Sequence, residues 1–408
     1  MASTRVLYIS GSIGLGHAAR DLAIARELRQ VNPGVEIVWL AGDPARRLIA
    51  EAGETLLAES DAFSAETASA EDAAAGFSLN LMTYVQQAQR TWSRTVAAFA
   101  EVTAKYPYDL LVGDETYEIA GALTKRPQLK KAPFTLIYDF VGLDATTRSP
   151  TERLMVWLWN RVWCGGHGGK PPGADLVLFV GEPSDVADRR FGPWLPNRRA
   201  YARRYYQFVG YILGFDPTAY ADTAKVRAAL GYDNRPLVVC AVGGTAVGAD
   251  LLRLCAAAYP HLQQRVADAR MVLVCGPRLD PATIQVPSGV QIRGYVPRLY
   301  EHLAACDVAI VQGGGTTTLE LTALRRPFLY FPLEGHFEQQ GTVAERLARH
   351  QAGQRLDYSK TAPELLADAV AGLLGHQASW PPIPTDGARR AAELINQLIV
   401  RRHEHASR

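Results

Sequence analysis

The chain has 408 residues, 48% of them hydrophobic and 21% charged, with a formal net charge of +2; the length predicts two domains of roughly 200 residues each, and the balanced charge excludes a disordered chain and a bulk nucleic-acid binder. Its five cysteines, Cys164, Cys240, Cys255, Cys275 and Cys306, are scattered without a C-x-x-C pair, which indicates neither a zinc site nor a disulfide framework and fits a reducing cytoplasm. The start "MASTRVLYIS" is too weakly apolar for a signal peptide, and no apolar run is long enough to span a bilayer, so no transmembrane segment is predicted.

From the amino end, "RVLYIS", "VEIVWLAG", "YDLLVGD", "FTLIYDF" and "ADLVLFVG" are apolar throughout, bounded by Gly, Pro or Asp and separated by helix-length segments. Such runs predict parallel strands buried on both faces. The stretch "ISGSIGLGHAARDLAIARELR", Ile9 to Arg29, joins the first strand to a helix. At the carboxyl end of a parallel strand, glycines let a ligand approach the backbone and the next helix offers free N–H groups. Gly14, Gly16 and Ala19 satisfy G-x-G-x-x-A and Asp43 follows the second strand, which opens a dinucleotide-binding reading, whereas the missing Gly-Lys-Ser/Thr ending excludes a Walker A loop. Two readings stand for His17 at the helix start: a base that takes a proton from a hydroxyl, or a side chain that packs the terminus. Two also stand for Asp114, which ends the third run beside Glu115: the carboxylate that orients His17, or a cap for the following helix.

The segment "SPTERLMVWLWNRVWCGGHGG" gathers Trp157, Trp159 and Trp163 among few charges, as core or as a surface for an apolar acceptor or lipid. In "DRRFGPWLPNRRAYARRYY", Arg189, Arg190, Arg198, Arg199, Arg203 and Arg204 alternate with aromatics, as a solvated face or as contacts to an anionic lipid surface or an acidic acceptor. Residues 210–222 change character, with Gly and Pro, and form the predicted linker between a domain of residues 1–213 and one of residues 214–385. A second set of strand patterns follows: "PLVVCAVG", "ARMVLVCG", "VQIRGYV", "DVAIVQGG" and "PFLYFPL". After a Pro-rich bridge, residues 386–408 read as one amphipathic helix with a basic tail, free to pack back on the first domain.

The run "DVAIVQGGGTTTLELTALRRPFLYFPLEGHFEQQ" places Gly313, Gly314 and Gly315, then Thr316, Thr317 and Thr318, between a strand and a helix bearing Glu320. Permissive backbone, hydroxyls and a helix N-terminus together suit a pyrophosphate; Glu320 suits a ribose diol, and the loop "LEGHFEQQ" suits sugar hydroxyls. A further glycine turn, "VGGTAVG", ends the first strand of the second set.

These residues resemble the donor-binding signature of inverting GT-B glycosyltransferases, the broad group of MurG-type enzymes and UDP-dependent natural-product and plant transferases. The resemblance implies an α/β, GT-B fold: two doubly wound Rossmann-like domains facing each other across a cleft. It implies that Gly314, Thr316 and Thr317 hold the pyrophosphate, with Gly315 also in the donor site, that Glu320 binds the ribose, and that Tyr295 and Val296 in "RGYVPRLYEHLAACDV" hold the base. Gly243, Gly244 and Thr245 would lie under the donor phosphates, with Gln312, His336, Glu338 and Gln339 on the sugar side. His17 would be the general base and Asp114 its partner, with Gly14, Gly16, Glu115, Asp139 and Trp157 on the acceptor side.

The chain departs from the family pattern at Gln312, often His in the natural-product branch and Glu in many retaining relatives, and in the last loop, where Glu338, Gln339 and Gln340 stand for the common Asp-Gln. No Asp-x-Asp occurs, so no metal and no cofactor are expected, and leaving-group charge falls to backbone N–H groups, threonines and the helix dipole. The expected function is transfer of a sugar from a nucleotide diphosphate sugar, UDP-linked by resemblance, to a hydroxyl on a small-molecule or lipid-linked acceptor, with inversion. Cytoplasmic location, membrane association at the inner face and no nucleic-acid partner go with it. The alternatives are a nucleotide-sugar epimerase, a non-catalytic nucleotide-sugar-binding protein and, third, a dehydrogenase.

Overall fold

The computed structural model describes residues 4–11, 15–63, 73–75, 77–166, 169–171, 173–244 and 247–406. It divides into one unit of residues 1–69, 81–214 and 384–408 and a second of residues 70–80 and 215–383.

In the first unit, strands β1 (Thr4–Ile9), β2 (Val35–Leu40), β3 (Thr55–Leu56), β4 (Leu110–Asp114), β5 (Phe134–Tyr138), β6 (Leu176–Val180) and β7 (Gln207–Gly210) form a parallel sheet in the order β3-β2-β1-β4-β5-β6-β7. The strand pattern explains why it is buried on both faces. Along β1 the pleat sends Val6 and Tyr8 to one layer with Ile37, Trp39 and Val112, and Leu7 and Ile9 to the other with Val38, Leu40 and Leu111. The helices that bear on function are α1 (Gly16–Val31), α2 (Leu81–Lys105), α3 (Tyr117–Lys125) and α4 (Pro150–Trp163). Strand order reverses between β1 and β4, so the loops after these two neighbours leave toward opposite faces. Open α/β sheets bind ligands at this switch point.

The second unit repeats the plan. Strands β8 (Leu237–Ala241), β9 (Arg270–Val274), β10 (Val290–Arg293), β11 (Val308–Gln312), β12 (Phe328–Phe331) and β13 (Gln354–Arg355) run parallel in the order β10-β9-β8-β11-β12-β13. Helix α5 (Ala249–Arg265) follows β8 and α6 (Gly315–Leu324) follows β11, again at the reversal.

The units differ from the sequence-based domains in one place. Residues 70–80, expected in the first domain, group with the second unit. There Ala74–Ala75 and Ser78–Leu79 form an antiparallel hairpin, the Glu334 N–H donates to the Phe77 carbonyl at 3.1 Å, and Phe77 stacks on Tyr358 with centroids 4.7 Å apart. Two-residue strands carry no periodicity, which is why the segment was not legible.

The final helix, α7 (Gly387–Ala406), completes the first unit. Ala391, Ala392, Ile395 and Ile399 enter the layer built from α1, and the Asn32 amide donates to Asn396 Oδ1 at 3.1 Å. Its first residue must be glycine: the Gly387 N–H donates to the Tyr211 carbonyl at 3.0 Å, and a Cβ there would lie 2.5 Å from that oxygen. Ile395 is fully buried, so Ile395→Ala is expected to destabilise the first unit by about 3 kcal/mol, read as a lowered urea midpoint.

Candidate active site

Where β1 ends, Gly11 lets the chain pass against the start of α1: a Cβ on it would lie 3.1 Å from the His17 ring and from the Asp114 carbonyl. His17, half-buried near the start of α1, brings Nδ1 to 3.0 Å from Asp114 Oδ2. The pair that the sequence left open is thus in contact. Asp114 is fully buried at the tip of β4, and the chain then turns through Glu115 at φ +52°. That left-handed conformation costs a non-glycine residue roughly 1 kcal/mol; it is held by the Glu115 N–H, which donates to the Ile137 carbonyl at 3.0 Å.

Arg20, absent from the sequence-based site, binds the whole cluster. One helical turn beyond His17, its Nε donates to Asp114 Oδ2 at 2.8 Å and its Nη2 to Asp114 Oδ1 at 2.6 Å, a two-pronged fork. Nη1 donates to Asp139 Oδ2, just past β5, while Nη2 also lies 2.8 Å from His17 Nδ1 and 3.7 Å from Glu115. The signal was present in the sequence: His17, Arg20, Ile24 and Leu28 recur at helical spacing, so Arg20 falls on the buried stripe of α1. The next residue, Asp21, accepts from the hydroxyls of Tyr8 at 2.9 Å and Ser10 at 2.6 Å, tying α1 to β1.

Burial raises the cost of charge on every carboxyl here, and the neighbours sort them. Against burial, Arg20 and then His17 hold Asp114 below its ordinary range, and Arg20 together with Glu115 holds Asp139 below its own. Burial and then the charge of Asp139 push Glu115 well above the carboxylate range. Glu115 Oε1 and Asp139 Oδ1 are buried without a hydrogen-bond partner, so the upward shift of Glu115 beside Asp139 lessens the repulsion between the two carboxyls. Burial and the charge of Asp114 likewise raise Asp21. His17, Asp114 and Glu115 each present a potential ligand atom within 4.8 Å of the others. The positive charge among these carboxyls is the guanidinium of Arg20.

In the second unit, β11 ends at the buried Gln312 and Gly313 follows; a Cβ at Gly313 would lie 2.8 Å from the Pro332 backbone, so only glycine fits. Gly314 caps α6 from an extended conformation without a side-chain cap. The N–H groups of Gly315, Thr316 and Thr317 in the first turn therefore lack intrahelical acceptors. Thr318 turns inward, its hydroxyl donating to the Gly314 carbonyl at 2.8 Å. The buried Arg346 donates to the Gly315 carbonyl at 2.9 Å, and a Cβ on Gly315 would meet Glu338 Oε1 at 3.3 Å. Arg346 too escaped sequence reading, because it follows the loop by several residues on a helix with no motif.

Residues 238–398 match the glycosyltransferase family 28 C-terminal domain. An uncharacterized glycosyltransferase of Methanosarcina mazei is 34% identical over 103 residues, 25% of this chain and 27% of that protein. The UDP-N-acetylglucosamine–N-acetylmuramyl-(pentapeptide) pyrophosphoryl-undecaprenol N-acetylglucosamine transferase of Mycolicibacterium vanbaalenii is 25% identical over 203 residues, 45% of this chain and 48% of that protein. The chain thus spans between a quarter and a half of the length of these curated relatives. In fold, it is similar to the glycosyltransferase SnogD from Streptomyces nogalater, with a TM-score of 0.56 at 19% identity, over 97% of this chain and all of that one. The chain has the GT-B fold, and its residues 238–398 carry the family 28 C-terminal domain.

On this GT-B frame the other expected donor residues fall as follows. Gly243, at φ +82°, and Gly244 follow β8 at the same reversal as Gly313. Tyr295 and Val296 are half-buried beyond β10, with Val296 packed on the core. Gln339 turns its amide oxygen back into its own loop, accepting from the Leu333 N–H at 2.8 Å, within a π-helical stretch from Gln339 to Val343. Burial pushes His336 down to about 4, leaving a neutral imidazole. Thr245 and Gly14 lie outside the described residues.

On the acceptor side, Gly16 opens α1, and Glu115 and Asp139 join the His17 cluster. Trp157 does not: its indole N–H donates to the Pro193 carbonyl at 3.1 Å and its ring packs on the first unit's core. Trp163 likewise donates to the Tyr206 hydroxyl at 2.8 Å within an aromatic cluster. The basic run is largely committed to the chain's own acceptors: Arg198 pairs with Asp144 at 2.8 Å, Arg189 with Asp144 at 2.5 Å and Arg199 with Asp188 at 3.2 Å.

Glu320 sits in the second turn of α6, half-buried, and burial pushes its carboxyl up to about 8. An acid raised in the folded state costs stability once pH passes its ordinary value near 4.5, because the unfolded chain then releases the proton first. Glu320→Gln is therefore expected to raise the melting temperature increasingly from pH 5 to about 8, and to leave it unchanged at pH 4. Parallel melting curves across that range check it.

Proposed function

We propose that the chain transfers a sugar from a UDP-linked donor to an acceptor hydroxyl with inversion at the anomeric carbon. The observation that carries this reading is the contact of His17 with Asp114 at a sheet reversal, in a chain whose residues 238–398 match the family 28 C-terminal domain. With Nδ1–H donated to Asp114, His17 presents Nε2 as an acceptor for the hydroxyl proton while the oxygen attacks. The pyrophosphate is received by the first N–H groups of α6 with Thr316 and Thr317, and the ribose diol by Glu320. No metal or cofactor takes part: leaving-group charge is met by these dipoles. The relative from Mycolicibacterium vanbaalenii acts on a UDP-N-acetylglucosamine donor and a pyrophosphoryl-undecaprenol acceptor, which supports UDP as the nucleotide and a lipid-linked acceptor.

Calorimetry with UDP, UDP-N-acetylglucosamine and dTDP tests the donor half. Micromolar binding of the UDP species is expected, with Glu320→Ala weakening it at least about tenfold; binding of dTDP alone would overturn the assignment. Transfer assays with undecaprenyl-linked and soluble glycoside acceptors test the rest. His17→Ala is expected to lower turnover by about a hundredfold or more without changing UDP affinity.

A lipid-linked acceptor requires a way to rest on a bilayer. On α4, Leu154, Leu158 and Val162 recur every fourth residue and are 59%, 48% and 64% exposed, with exposed Arg153 and Arg161 alongside. Trp194, 87% exposed, follows the Pro193 carbonyl that binds Trp157 of the same helix. Trp157 and Trp163 thus pack on the core, and the outward stripe is aliphatic. Among the described residues no helix is long and apolar enough to cross a membrane. We propose that this stripe gives peripheral contact with anionic lipid at the cytoplasmic face. Co-sedimentation with phosphatidylglycerol vesicles is expected for the native protein and lost in Leu158→Glu.

A further inference from the structure

The His17–Asp114 pair is incomplete as a description of the base, because Asp114 is held by two groups. Its Oδ2 receives Arg20 Nε at 2.8 Å and faces His17 Nδ1 at 3.0 Å, while its Oδ1 receives Arg20 Nη2 at 2.6 Å. Arg20 then spends its third nitrogen on Asp139. Asp114 is wholly buried, and the side chains of Arg20 and Asp139 are only 7% and 19% exposed, so their charges must be balanced within the cluster.

We propose that Arg20 is the positioning residue of the base: its fork fixes both oxygens of Asp114 with Oδ2 directed at His17 Nδ1, and its charge offsets part of the negative charge of Asp114 and Asp139 that draws a proton onto the ring. The proposal rests on the reading of His17 as the base and adds a requirement to it. A buried carboxylate beside an imidazole draws a proton onto the ring when nothing else compensates it. Two such carboxylates stand here, with Glu115, whose carboxyl burial pushes up, 3.7 Å from the guanidinium. Around His17 the charged and titratable groups are Arg20 from α1, Asp114 and Glu115 from the end of β4, and Asp139 from the end of β5; Asp21 points away to Tyr8 and Ser10. Among Arg20, Asp114 and Asp139, one cation against two anions leaves a net charge of −1. A proton taken up by His17 from an acceptor therefore completes the balance instead of upsetting it.

Without Arg20 the net charge falls to −2, and the stronger pull favours a proton on His17 before any acceptor arrives. The imidazolium that results has no lone pair to offer. The fork matters as well as the charge, since it fixes both oxygens of Asp114 and leaves Oδ2 directed at Nδ1.

The test uses the full-length chain labelled with nitrogen-15 in its imidazole rings. Long-range proton–nitrogen correlation spectra separate the neutral tautomers from imidazolium for each of the nine histidines, and the His17 signal is the one lost in His17→Gln. At pH 7 the native protein is expected to show neutral His17 protonated on Nδ1. Arg20→Gln is expected to show imidazolium at His17, and Arg20→Lys, which retains the charge, to restore the neutral form. Release of UDP from UDP-N-acetylglucosamine should fall about a hundredfold in Arg20→Gln with UDP affinity unchanged.

A neutral, Nδ1-protonated His17 in folded Arg20→Gln would overturn the proposal and leave Arg20 a purely structural tie. Should Arg20→Gln fail to fold, Asp139→Asn decides the matter, because it keeps the Asp114 fork and removes one anion. At pH 5.5 it is expected to hold more neutral His17 than the native protein, and an equal or smaller fraction would overturn the proposal. If His17→Gln itself retained full turnover, the reading of the base would fail while the Arg20 spectra remained as expected, so the two failures are distinct.

Discussion

One guanidinium fastens the carboxyl tips of two neighbouring strands to the helix that leaves a third. Arg20 projects from the first turns of α1, clasps Asp114 at the end of β4 and reaches Asp139 beyond β5. None of these groups is tolerable alone. A buried carboxylate stripped of its partner costs several kcal/mol, and so does a buried guanidinium. The arrangement exists because the sheet order reverses between β1 and β4, where crossovers diverge and leave strand ends that no helix covers.

The second unit solves its equivalent reversal in the opposite electrostatic manner. Burial pushes two of its titratable groups toward their neutral forms, Glu320 up to about 8 and His336 down to about 4. Positive potential comes from the open first turn of the helix, and Arg346 is spent on the Gly315 carbonyl. Open N–H groups at a helix start suit a ligand that brings its own negative charge. A lining already rich in carboxylates, as in the first unit, suits proton transfer. The two halves share a topology and differ in where charge is kept.

Much of this was legible in the sequence. Apolar runs bounded by Gly and Asp marked the long strands, and Asp114 stood out because a carboxylate at the end of a buried strand needs a reason. Arg20 did not stand out, since "AARDLAIARELR" contains three arginines and only Arg20 lies on the stripe with Ile24 and Leu28. Periodicity alone could have separated it, but a charged residue on an apolar face reads as an interruption until its partners are known. Those partners lie 94 and 119 residues away, beyond any local pattern. The tryptophans of α4 failed in the reverse sense: their size suggested a binding face, whereas packing turned Trp157 and Trp163 inward and left Leu154, Leu158 and Val162 outside.

The last helix closes the argument about α1. Its burial against α7 is continuous: Ile24 and Leu28 from the first helix meet Ala391, Ala392, Ile395 and Ile399 from the last. The Arg402 guanidinium donates to the Asp109 carbonyl at 2.7 Å, one residue before β4 begins. So α7 braces both the helix that carries His17 and Arg20 and the strand that carries Asp114. The family 28 match runs through residue 398, well into this helix, although by contact the helix belongs to the first unit. A chain that returns to its starting unit in this way makes the geometry of the His17, Asp114 and Arg20 cluster depend on the last helix. The dependence is mechanical: the aliphatic layer sets where α1 lies on the sheet, and the position of α1 decides whether Arg20 reaches both of its carboxylates.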